Sequence, residues 1–339
     1  MKAFVLPGYR KPLELRDVPE PTIGAHDVLV RVDAAGINVL DEKIRAGEFR
    51  RILPYSLPRT VGHDVAGTVV DVGPEVRSVV PGDEIYARVG KDYIGTFAER
   101  VAVAEADLAL RPTTVTAVEA ASLPLVALTA WQALVDKGNL RAGQKVLIHA
   151  GSGGVGTIAI QLAKHLGATV TTTASGSNAQ FLRDLGADVV IDYRSEDFED
   201  GDHDFDLVLD SLGGENLEKS LRILKPGGIA VGITGPPDPA FAREAGLNLV
   251  VRTVIGVLSR KIRKQADKLG VTYTFLFMHS DGERLRHIAA LIDDGTIRPV
   301  VGATFPFEQT PDALASLGTS SVRGKTVITL PHDETSESA

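Results

Sequence analysis

The sequence of 339 residues contains no cysteine. This absence excludes disulfides, iron–sulfur clusters, zinc sites with cysteine ligands and cysteine nucleophiles. No apolar run approaches the roughly 20 residues that a membrane-spanning helix needs. Basic residues are also in the minority, with 36 Lys and Arg against 44 Asp and Glu and a net charge of −8. A nucleic acid is therefore not expected as the main partner, because phosphate binding needs a basic surface.

Length and composition are otherwise those of an ordinary globular protein. Apolar residues make up 44% of the chain and charged residues 24%. A length of 339 residues suggests two domains at roughly 150 residues each. The N-terminal segment MKAFVLPGYRKPLEL has no apolar run of signal-peptide length, so we expect a cytoplasmic location. The acidic tail, residues 332–339, is expected to fray.

The first third of the chain has the pattern of a β domain. Residues 1–110 contain short β-type runs separated by Gly and Pro, among them DVLVRVDAAG (27–36) and DVAGTVVDVG (64–73). The segment TVITL (326–330) near the C-terminus is a further predicted strand, which could return to this N-terminal sheet. We therefore expect a mainly β domain built from both ends of the chain, residues 1–123 and 300–339.

The middle of the chain alternates predicted strands with predicted helices. The apolar run KVLIHA (145–150) is followed by TIAIQLAKHLGA (157–168), whose apolar residues have helical spacing. Further strands and helices follow in alternation. This order predicts right-handed βαβ units and a parallel sheet with helices on both faces. The predicted fold class is α/β, with a doubly wound domain over residues 124–299 inserted into the β domain.

A glycine-rich loop joins the predicted strand to the predicted helix. Gly151, Gly153 and Gly156 form the pattern G-x-G-x-x-G. In this context the glycines let the backbone approach a pyrophosphate, and the helix N-terminus favours its negative charge. A tight strand-to-helix turn without a ligand is the alternative. The spacing favours a dinucleotide-binding loop.

The end of the second strand of this domain indicates which dinucleotide binds. An acidic residue there would hold the ribose 2′-hydroxyl of NAD, but the segment TTASGSN (172–178) has none. Ser175, Ser177 and Asn178 can donate hydrogen bonds to a 2′-phosphate without repelling it. The sequence therefore predicts NADP(H), although no Arg lies in this loop to pair with the phosphate.

Six segments occur in the order typical of one known superfamily. They are AAGINVLDEKIRAG (34–47), VGHDVAGTVVDVG (61–73), GTFAERVAV (95–103), AGSGGVGTIAIQLAKHLGA (150–168), LGADVVIDYRSEDF (185–198) and RGK (323–325). In these the chain resembles the medium-chain dehydrogenase/reductase superfamily, and most closely its zinc-independent quinone oxidoreductase and enone oxidoreductase branch. The resemblance covers nearly the whole length. It implies a Rossmann domain for NADP(H), a GroES-like catalytic domain and a homodimer.

The resemblance also implies which residues contact the cofactor. Tyr193 matches a tyrosine that lies against the 2′-phosphate, with a packed aromatic as the alternative. Arg323 and Lys325 are expected near the cofactor, where either could supply the missing positive charge. The full set of cofactor-binding residues is Gly151, Gly153, Gly154, Val155, Gly156, Ser175, Ser177, Asn178, Tyr193, Leu212, Ile233, Phe275, Leu276, Phe277, Arg323 and Lys325.

The segment GHD contains the residue most suggestive of a metal. In the zinc alcohol dehydrogenases that the chain resembles, a cysteine would stand at Asn38, and a catalytic zinc needs three protein ligands. Only His63 and Asp64 remain of that set, so no metal is expected. His63 is then either a hydrogen-bonded residue of the cleft or a substrate contact. Tyr55 is a further candidate for the substrate pocket.

The expected reaction follows from this lack of zinc ligands. Without a Lewis acid to stabilise an alkoxide, exchange of alcohol and ketone is disfavoured. Hydride transfer to an enone or a quinone spreads the charge over an enolate, which hydrogen-bond donors can stabilise. Lys43 and Asn38 are the expected catalytic residues, although a solvated Lys43 is the alternative.

Other functions stay open. The protein could reduce enoyl groups of acyl-CoA thioesters, reduce quinones in a one-electron cycle, or bind NADPH with little turnover. The basic amphipathic segment 258–269 could also contact a membrane surface, although a solvated helix face is the favoured interpretation.

Overall fold

The structure is a computed structural model that describes residues 1–50, 54–318 and 322–330. The C-terminal tail that the sequence predicts to fray lies outside the described residues. Contacts within the chain define two compact units. The first unit combines Met1–Leu128 with the segment from His279 onward, and the second is Thr129–Met278.

The described residues form sixteen strands and eleven α-helices. The strands are β1 (Lys2–Leu6), β2 (Glu14–Asp17), β3 (Asp27–Ile37), β4 (Arg59–Thr60), β5 (Asp64–Val72), β6 (Glu84–Arg88), β7 (Arg100–Ala104), β8 (Leu108–Leu110), β9 (Lys145–Ile148), β10 (Thr169–Ala174), β11 (Val189–Asp192), β12 (Phe205–Asp210), β13 (Leu224–Gly232), β14 (Thr272–Phe275), β15 (Val301–Pro306) and β16 (Lys325–Thr329). The helices are α1 (Val39–Ala46), α2 (Ala117–Ala121), α3 (Pro124–Trp131), α4 (Gly154–His165), α5 (Ala179–Asp184), α6 (Gly214–Arg222), α7 (Pro239–Glu244), α8 (Leu249–Leu258), α9 (Arg260–Leu269), α10 (Gly282–Asp293) and α11 (Thr310–Ala315).

The second unit is built on a six-stranded parallel sheet. Its strand order is β11-β10-β9-β12-β13-β14, and every neighbouring pair is parallel. Strand β9 is apolar and almost wholly buried because helices cover a parallel sheet on both faces. The order of strands reverses between β9 and β12, and in such sheets ligands bind at the carboxyl ends of the strands beside this point. The predicted doubly wound Rossmann architecture is confirmed.

The first unit is mainly β. A seven-stranded sheet has the order β15-β16-β3-β5-β6-β8, with β7 also paired to β3, and a smaller sheet has the order β2-β1-β4. Strand β16 pairs antiparallel with β3, with Thr326 opposite Ile37, so the predicted return of the TVITL segment to the N-terminal sheet is confirmed. The core contains fully buried Leu6, Ile85 and Phe97. This unit has the predicted GroES-like architecture.

Helix α10 belongs to the first unit by its contacts. It packs against β8, and the hydroxyl of Tyr86 donates a hydrogen bond of 2.6 Å to the carbonyl of Leu285. The sequence analysis instead included residues 282–293 in the nucleotide domain, because α10 continues the alternation of strand and helix patterns. Neither unit has, within its described residues, a helix that is long and apolar enough to cross a membrane.

Candidate functional site

The glycine loop follows β9 at the point where the strand order reverses. Gly153 caps α4, and Gly154, Val155 and Gly156 form its first turn. The first N–H groups of a helix have no partner inside the helix and favour an anion. The loop therefore has the backbone donors that a pyrophosphate requires.

Two of these glycines are required by close packing. A Cβ atom on Gly156 would lie 2.5 Å from the carbonyl oxygen of Ala150 and 2.6 Å from the Cα of Gly151. A Cβ on Gly151 would clash with the side chain of Thr172 on the next strand. Gly153, by contrast, has only the oxygen of Ala150 within reach, at 3.3 Å. The first and last glycines, Gly151 and Gly156, thus allow the helix and the strands to pack closely. The middle glycine, Gly153, leaves its surface open to a ligand.

The predicted 2′-phosphate loop follows β10 at the same edge of the sheet. Ser175 is linked to both other predicted members, at 3.1 Å from the hydroxyl of Ser177 and 3.1 Å from the amide nitrogen of Asn178. Ser175 and Asn178 are both buried to more than nine-tenths. The structure therefore brings the three residues together into one polar turn with no acidic member.

Tyr193 lies beside this turn because β11 pairs with β10. Its backbone N–H donates to the carbonyl of Ala174 at 3.2 Å, and 58% of the residue is exposed. The guanidinium carbon of Arg194 lies 5.9 Å from the centre of the Tyr193 ring. Sequence reasoning missed Arg194, although its position directly after Tyr193 was visible. Arg194 puts a positive charge close to a loop that has none of its own.

An acidic group also lies at this edge. The carboxylate of Asp192 accepts the backbone N–H of Arg194 at 3.1 Å, and its other oxygen lies against the backbone of Gly176, where a Cβ would clash with it. The prediction of NADP(H) considered only the end of β10 and did not include this residue. The balance between Asp192 and Arg194 is therefore the local electrostatic feature that bears on the choice of cofactor.

The other predicted cofactor residues of this unit follow neighbouring strands. Leu212 follows β12 and is anchored through its N–H to Asp210, while Ile233 follows β13 and donates to the Asp210 carbonyl at 2.9 Å. Leu276 follows β14 and donates to Gly232 at 2.9 Å. Phe275 ends β14, and the ring of Phe277 lies 5.7 Å from that of Phe241. All these residues thus occur at the carboxyl edge of one sheet.

These residues fit a nicotinamide dinucleotide. Gly153 leaves its surface open, and the unpaired N–H groups at the start of α4 favour an anion. The neutral turn at Ser175–Asn178 and the aromatic ring of Tyr193 provide surfaces for an adenosine ribose with its phosphate.

The first unit contains a buried polar network around Asn38. The ammonium of Lys325 donates to the side-chain oxygen of Asn38 at 2.5 Å and to the carbonyl of Ile37 at 2.8 Å, and lies 3.3 Å from Asp64. The Asn38 amide donates in turn to Asp64 at 2.9 Å. Burial raises the pKa of Asp64, whereas the charge of Lys325 and the Asn38 hydrogen bond act to lower it.

This network changes the role expected for Lys325. All three hydrogens of its ammonium are engaged by Ile37, Asn38 and Asp64, and the residue is 6% exposed. No hydrogen of Lys325 is left for a cofactor phosphate. The structure therefore does not support Lys325 as the source of the missing positive charge. Arg323 lies in the segment just before β16, and its cofactor role stays a prediction.

His63 forms a second buried pair in this unit. Its Nδ1 lies 2.6 Å from one carboxylate oxygen of Asp41, and both side chains are almost completely buried. The other Asp41 oxygen accepts the backbone N–H of Asn38 at 2.8 Å, at the start of α1. The predicted hydrogen bonding of His63 is confirmed, and Asp41 is a partner that the sequence analysis did not name.

The remaining predicted residues lie elsewhere in the first unit. Lys43 is in the last turn of α1, 4.0 Å from Glu48 and separate from the Asn38 network. Tyr55 is half-buried, its ring is stacked by Arg59 at 5.2 Å, and burial raises its pKa to about 12. The structure thus brings Asn38 together with Lys325 rather than with Lys43.

Within residues 1–50, 54–318 and 322–330, no group of three or more His, Cys, Asp or Glu could hold a metal ion. Asp64 is engaged by Asn38, Lys325 and the Leu125 N–H, the last at 2.9 Å.

Known families match both parts of the chain. Residues 24–113 match the family described as alcohol dehydrogenase GroES-like domain, and residues 185–328 match the family described as zinc-binding dehydrogenase. The match to the family described as zinc-binding dehydrogenase occurs in a chain that contains no cysteine.

Similar proteins cover nearly the whole chain. It is 35% identical to NAD(P)H oxidoreductase RTN4IP1, mitochondrial, of Danio rerio, over 98% of this chain and 92% of that protein. It is 36% identical to the NADPH-dependent alkenal/one oxidoreductase, chloroplastic, of Arabidopsis thaliana, over 97% of this chain and 79% of that protein.

A solved structure is similar at the same level. The quinone oxidoreductase from Coxiella burnetii superposes with a TM-score of 0.85 and 32% identity, covering 98% of this chain and 99% of that one. The glycine loop, the two-unit architecture and these relatives agree. The chain therefore belongs to the medium-chain dehydrogenase/reductase superfamily, in its branch of zinc-independent quinone and enone oxidoreductases.

Proposed function

We propose that the protein is an NADPH-dependent reductase that transfers hydride to the C=C bond of α,β-unsaturated carbonyls or to quinones, without a metal. The observation that carries the proposal is the glycine loop that opens α4 beside the reversal of strand order. Relatives named as an alkenal/one oxidoreductase and a quinone oxidoreductase support the reaction class.

The second unit is proposed to hold the cofactor. Gly153 and the first turn of α4 bind the pyrophosphate, while Ser175, Asn178 and Tyr193 bind the adenosine phosphate. NADPH, when bound, supplies the hydride. Arg194 contributes the positive charge that favours a 2′-phosphate over a hydroxyl.

The first unit is proposed to supply the polar groups that act on the substrate. Asn38 is held by Lys325 and Asp64, which keeps its amide in one orientation. Lys43 is kept as a proposed catalytic residue, with Glu48 at 4.0 Å as its partner in an ion pair. A Lys43→Ala variant is expected to lose turnover relative to a Lys91→Ala control, because Lys91 is an exposed lysine of the same unit.

Consumption of NADPH with a panel of acceptors tests the function. The panel contains 2-cyclohexenone, a long-chain enone, 1,4-benzoquinone, crotonyl-CoA and a simple ketone, each measured with enzyme dialysed against EDTA. Turnover is expected with the enones or the quinone. Turnover with the ketone alone, or a requirement for added zinc, would contradict the proposal. Activity confined to crotonyl-CoA would assign the protein to thioester reduction, and NADPH binding without any turnover would assign it to cofactor binding alone.

A homodimer is also proposed, supported by an apolar surface on α8. Leu249, Val250, Val254, Val257 and Leu258 are between 52% and 75% exposed. Such a surface on one short helix is typical of a protein interface, and a second copy of the chain is the proposed occupant.

The basic helix α9 next to it is less suited to a membrane than its sequence indicates. Lys261 pairs with Glu218, and Arg263 donates to the carbonyl of Gly256 at 3.0 Å.

Light scattering is expected to give a dimer that Val254→Lys dissociates, whereas a monomer that sediments with anionic liposomes would refute the dimer. The predicted cytoplasmic location stays a proposal that cell fractionation tests.

A further inference from the structure

The imidazole of His63 is oriented by one carboxylate. Asp41 accepts the N–H of Asn38 with one oxygen and lies 2.6 Å from His63 Nδ1 with the other. Because an ionised carboxylate only accepts hydrogen bonds, Nδ1 must donate. The hydrogen on Nδ1 is thereby fixed, and Nε2 is the ring nitrogen that can exchange a proton with a ligand.

That second nitrogen is buried without a partner. Within the described chain, Nε2 of His63 contacts no hydrogen-bonding group, although the residue is only 1% exposed. Leaving a buried polar atom without a partner has a free-energy cost to the folded protein. Such a cost is usually explained by a ligand group or an ordered water that completes the hydrogen bond.

Three other buried polar atoms of the first unit also lack a hydrogen-bond partner among the described residues. They are the hydroxyl oxygens of Tyr55 and Thr96 and the Nε of Arg88. Thr96 lies against Gly62, the residue before His63, where a Cβ would clash with the Thr96 hydroxyl. The unpaired Nε2 of His63, with the unpaired Thr96 hydroxyl against the adjacent residue, indicates a site for a small oxygen-bearing ligand group.

Electrostatic interactions connect Arg88 and Tyr55 with the Asp41–His63 pair. Arg88 stands directly opposite Asp64 in the pairing of β5 with β6. Burial lowers the pKa of Arg88, and Asp64, Tyr55 and Asp41 act on it in the opposite direction. Tyr55, Arg88 and the Asp41–His63 pair therefore lie close enough to interact electrostatically.

We propose that His63 donates the proton that completes the reduction, and that Asp41 is the positioning residue for its imidazole. The proposal rests on the proposed function. Hydride addition to the β-carbon breaks the C=C π bond and moves an electron pair to the carbonyl oxygen, which gives an enolate. The Nε2–H bond of the imidazolium then breaks and an O–H bond forms. The enol becomes the saturated ketone in water, and His63 regains a proton from water. Hydride addition converts a quinone into a hydroquinone anion, which then takes the same proton from His63.

The neighbouring residues are less suited to this step. Burial raises the pKa of Tyr55 to about 12, so its hydroxyl donates a hydrogen bond but is a poor acid. The ammonium hydrogens of Lys325 are all engaged by other groups. His63 is the group of this set with an unpaired ring nitrogen that can carry a proton to an oxygen.

Binding of 4-nitrophenol to the protein without cofactor tests the site independently of turnover. The phenolate oxygen stands in for the enolate, and its visible absorbance reports the bound anion. A hydrogen bond to a charged group is worth about 1.5–3 kcal/mol, so His63→Gln is expected to weaken binding roughly 10–100-fold. His165→Gln is the matched control, since His165 is exposed and lies in the other unit. In protein labelled with ¹⁵N-histidine, the ligand is expected to shift the Nε2 signal that His63→Gln removes.

Turnover measurements separate proton donation by His63 from the positioning of its imidazole by Asp41. General acid catalysis contributes roughly 10²–10⁴-fold, so His63→Gln is expected to lower kcat for 2-cyclohexenone by about 100-fold or more. Asp41→Asn still accepts the Asn38 N–H but offers its amide hydrogens to Nδ1, which favours the wrong ring tautomer. It is expected to lower kcat with little change in KM, and its ¹⁵N spectrum is expected to show the hydrogen on Nε2.

The outcomes distinguish this proposal from the function on which it rests. If His63→Gln keeps both phenolate affinity and kcat within twofold of the control, the proposal is overturned. If the wild-type protein reduces no acceptor, the proposed function fails, and phenolate binding alone decides whether His63 forms an oxygen site. If His63→Gln does not fold, Asp41→Asn decides through its tautomer and kcat, and an unchanged kcat overturns the proposal.

Discussion

Protonation of His149 is expected to destabilise the nucleotide-binding unit in mild acid. This residue follows β9 and is 2% exposed. Its Nε2 lies 3.0 Å from the hydroxyl of Ser220, which itself donates to the carbonyl of Asn216 at 2.7 Å. Nε2 must therefore donate to Ser220. Nδ1, at 3.1 Å from the Thr173 hydroxyl, is then the acceptor of a neutral imidazole.

The size of the effect follows from the pKa. Burial lowers the pKa of His149 from 6.5 to about 4. In the unfolded chain the imidazole binds a proton below pH 6.5, whereas in the folded protein it stays neutral until about pH 4. The contribution of neutral His149 to the free energy of unfolding is therefore fully present above pH 6.5 and is lost as the pH falls toward 4. At about 1.36 kcal/mol per pKa unit, the loss attributable to His149 is about 2.5 kcal/mol at a pH of roughly 4.5.

Urea unfolding followed by Trp131 fluorescence measures this effect. Trp131 is the sole tryptophan of the sequence and belongs to the same unit. The fall in the free energy of unfolding between neutral pH and a pH of about 4.5 is compared in the wild type, His149→Asn and the His165→Gln control. Carboxylates titrate in all three proteins, so only the difference between the falls counts. An equal fall in the free energy of unfolding for His149→Asn and the wild type would show that His149 binds protons equally in the folded and unfolded protein. That result would refute the reasoning.

Three further predictions concern the cofactor loop and the buried network. Gly156→Ala is expected to weaken NADPH binding roughly tenfold by calorimetry, because overpacking costs about 1–3 kcal/mol, whereas Gly256→Ala, with open space around its Cα, is expected to bind normally. Lys325→Met leaves Asp64 buried and unpaired, so the free energy of unfolding is expected to fall by about 3–5 kcal/mol. Addition of Asp64→Asn is expected to recover part of that loss in denaturant titrations. Arg194→Ala is expected to weaken NADPH several-fold and NADH little, and equal losses for both would contradict its assigned role.

Local pattern was sufficient for the nucleotide-binding unit. The buried run Lys145–Ile148, the glycines after it and the helical spacing that begins at Gly154 are consecutive in sequence, and they are consecutive in the structure. The polar turn at Ser175–Asn178 was equally predictable, because it directly follows β10. Arg194 and Asp192 were missed because their relation to this turn depends on the pairing of β11 with β10.

The polar groups of the first unit depended on contacts that a single sequence does not show. Lys325 and Asn38 are 287 residues apart and meet only because β16 pairs with β3. The one local signal for the His63 pair was the spacing of Asn38 and Asp41, which places a carboxylate at the third residue of α1. That spacing predicts a helix start but not the histidine that the same carboxylate orients.

The sequence by itself determined the superfamily, the parallel nucleotide-binding sheet, the glycine loop and the lack of cysteine ligands for zinc. Each of these depends on residue type and on spacing along a continuous segment. Only the tertiary structure decided that Lys325 is bonded to Asn38 and Asp64, that Lys43 is apart from them, and that Asp41 orients His63. These assignments depend on which buried polar atoms meet and which stay unpaired, and strand pairing between distant segments brings those atoms together.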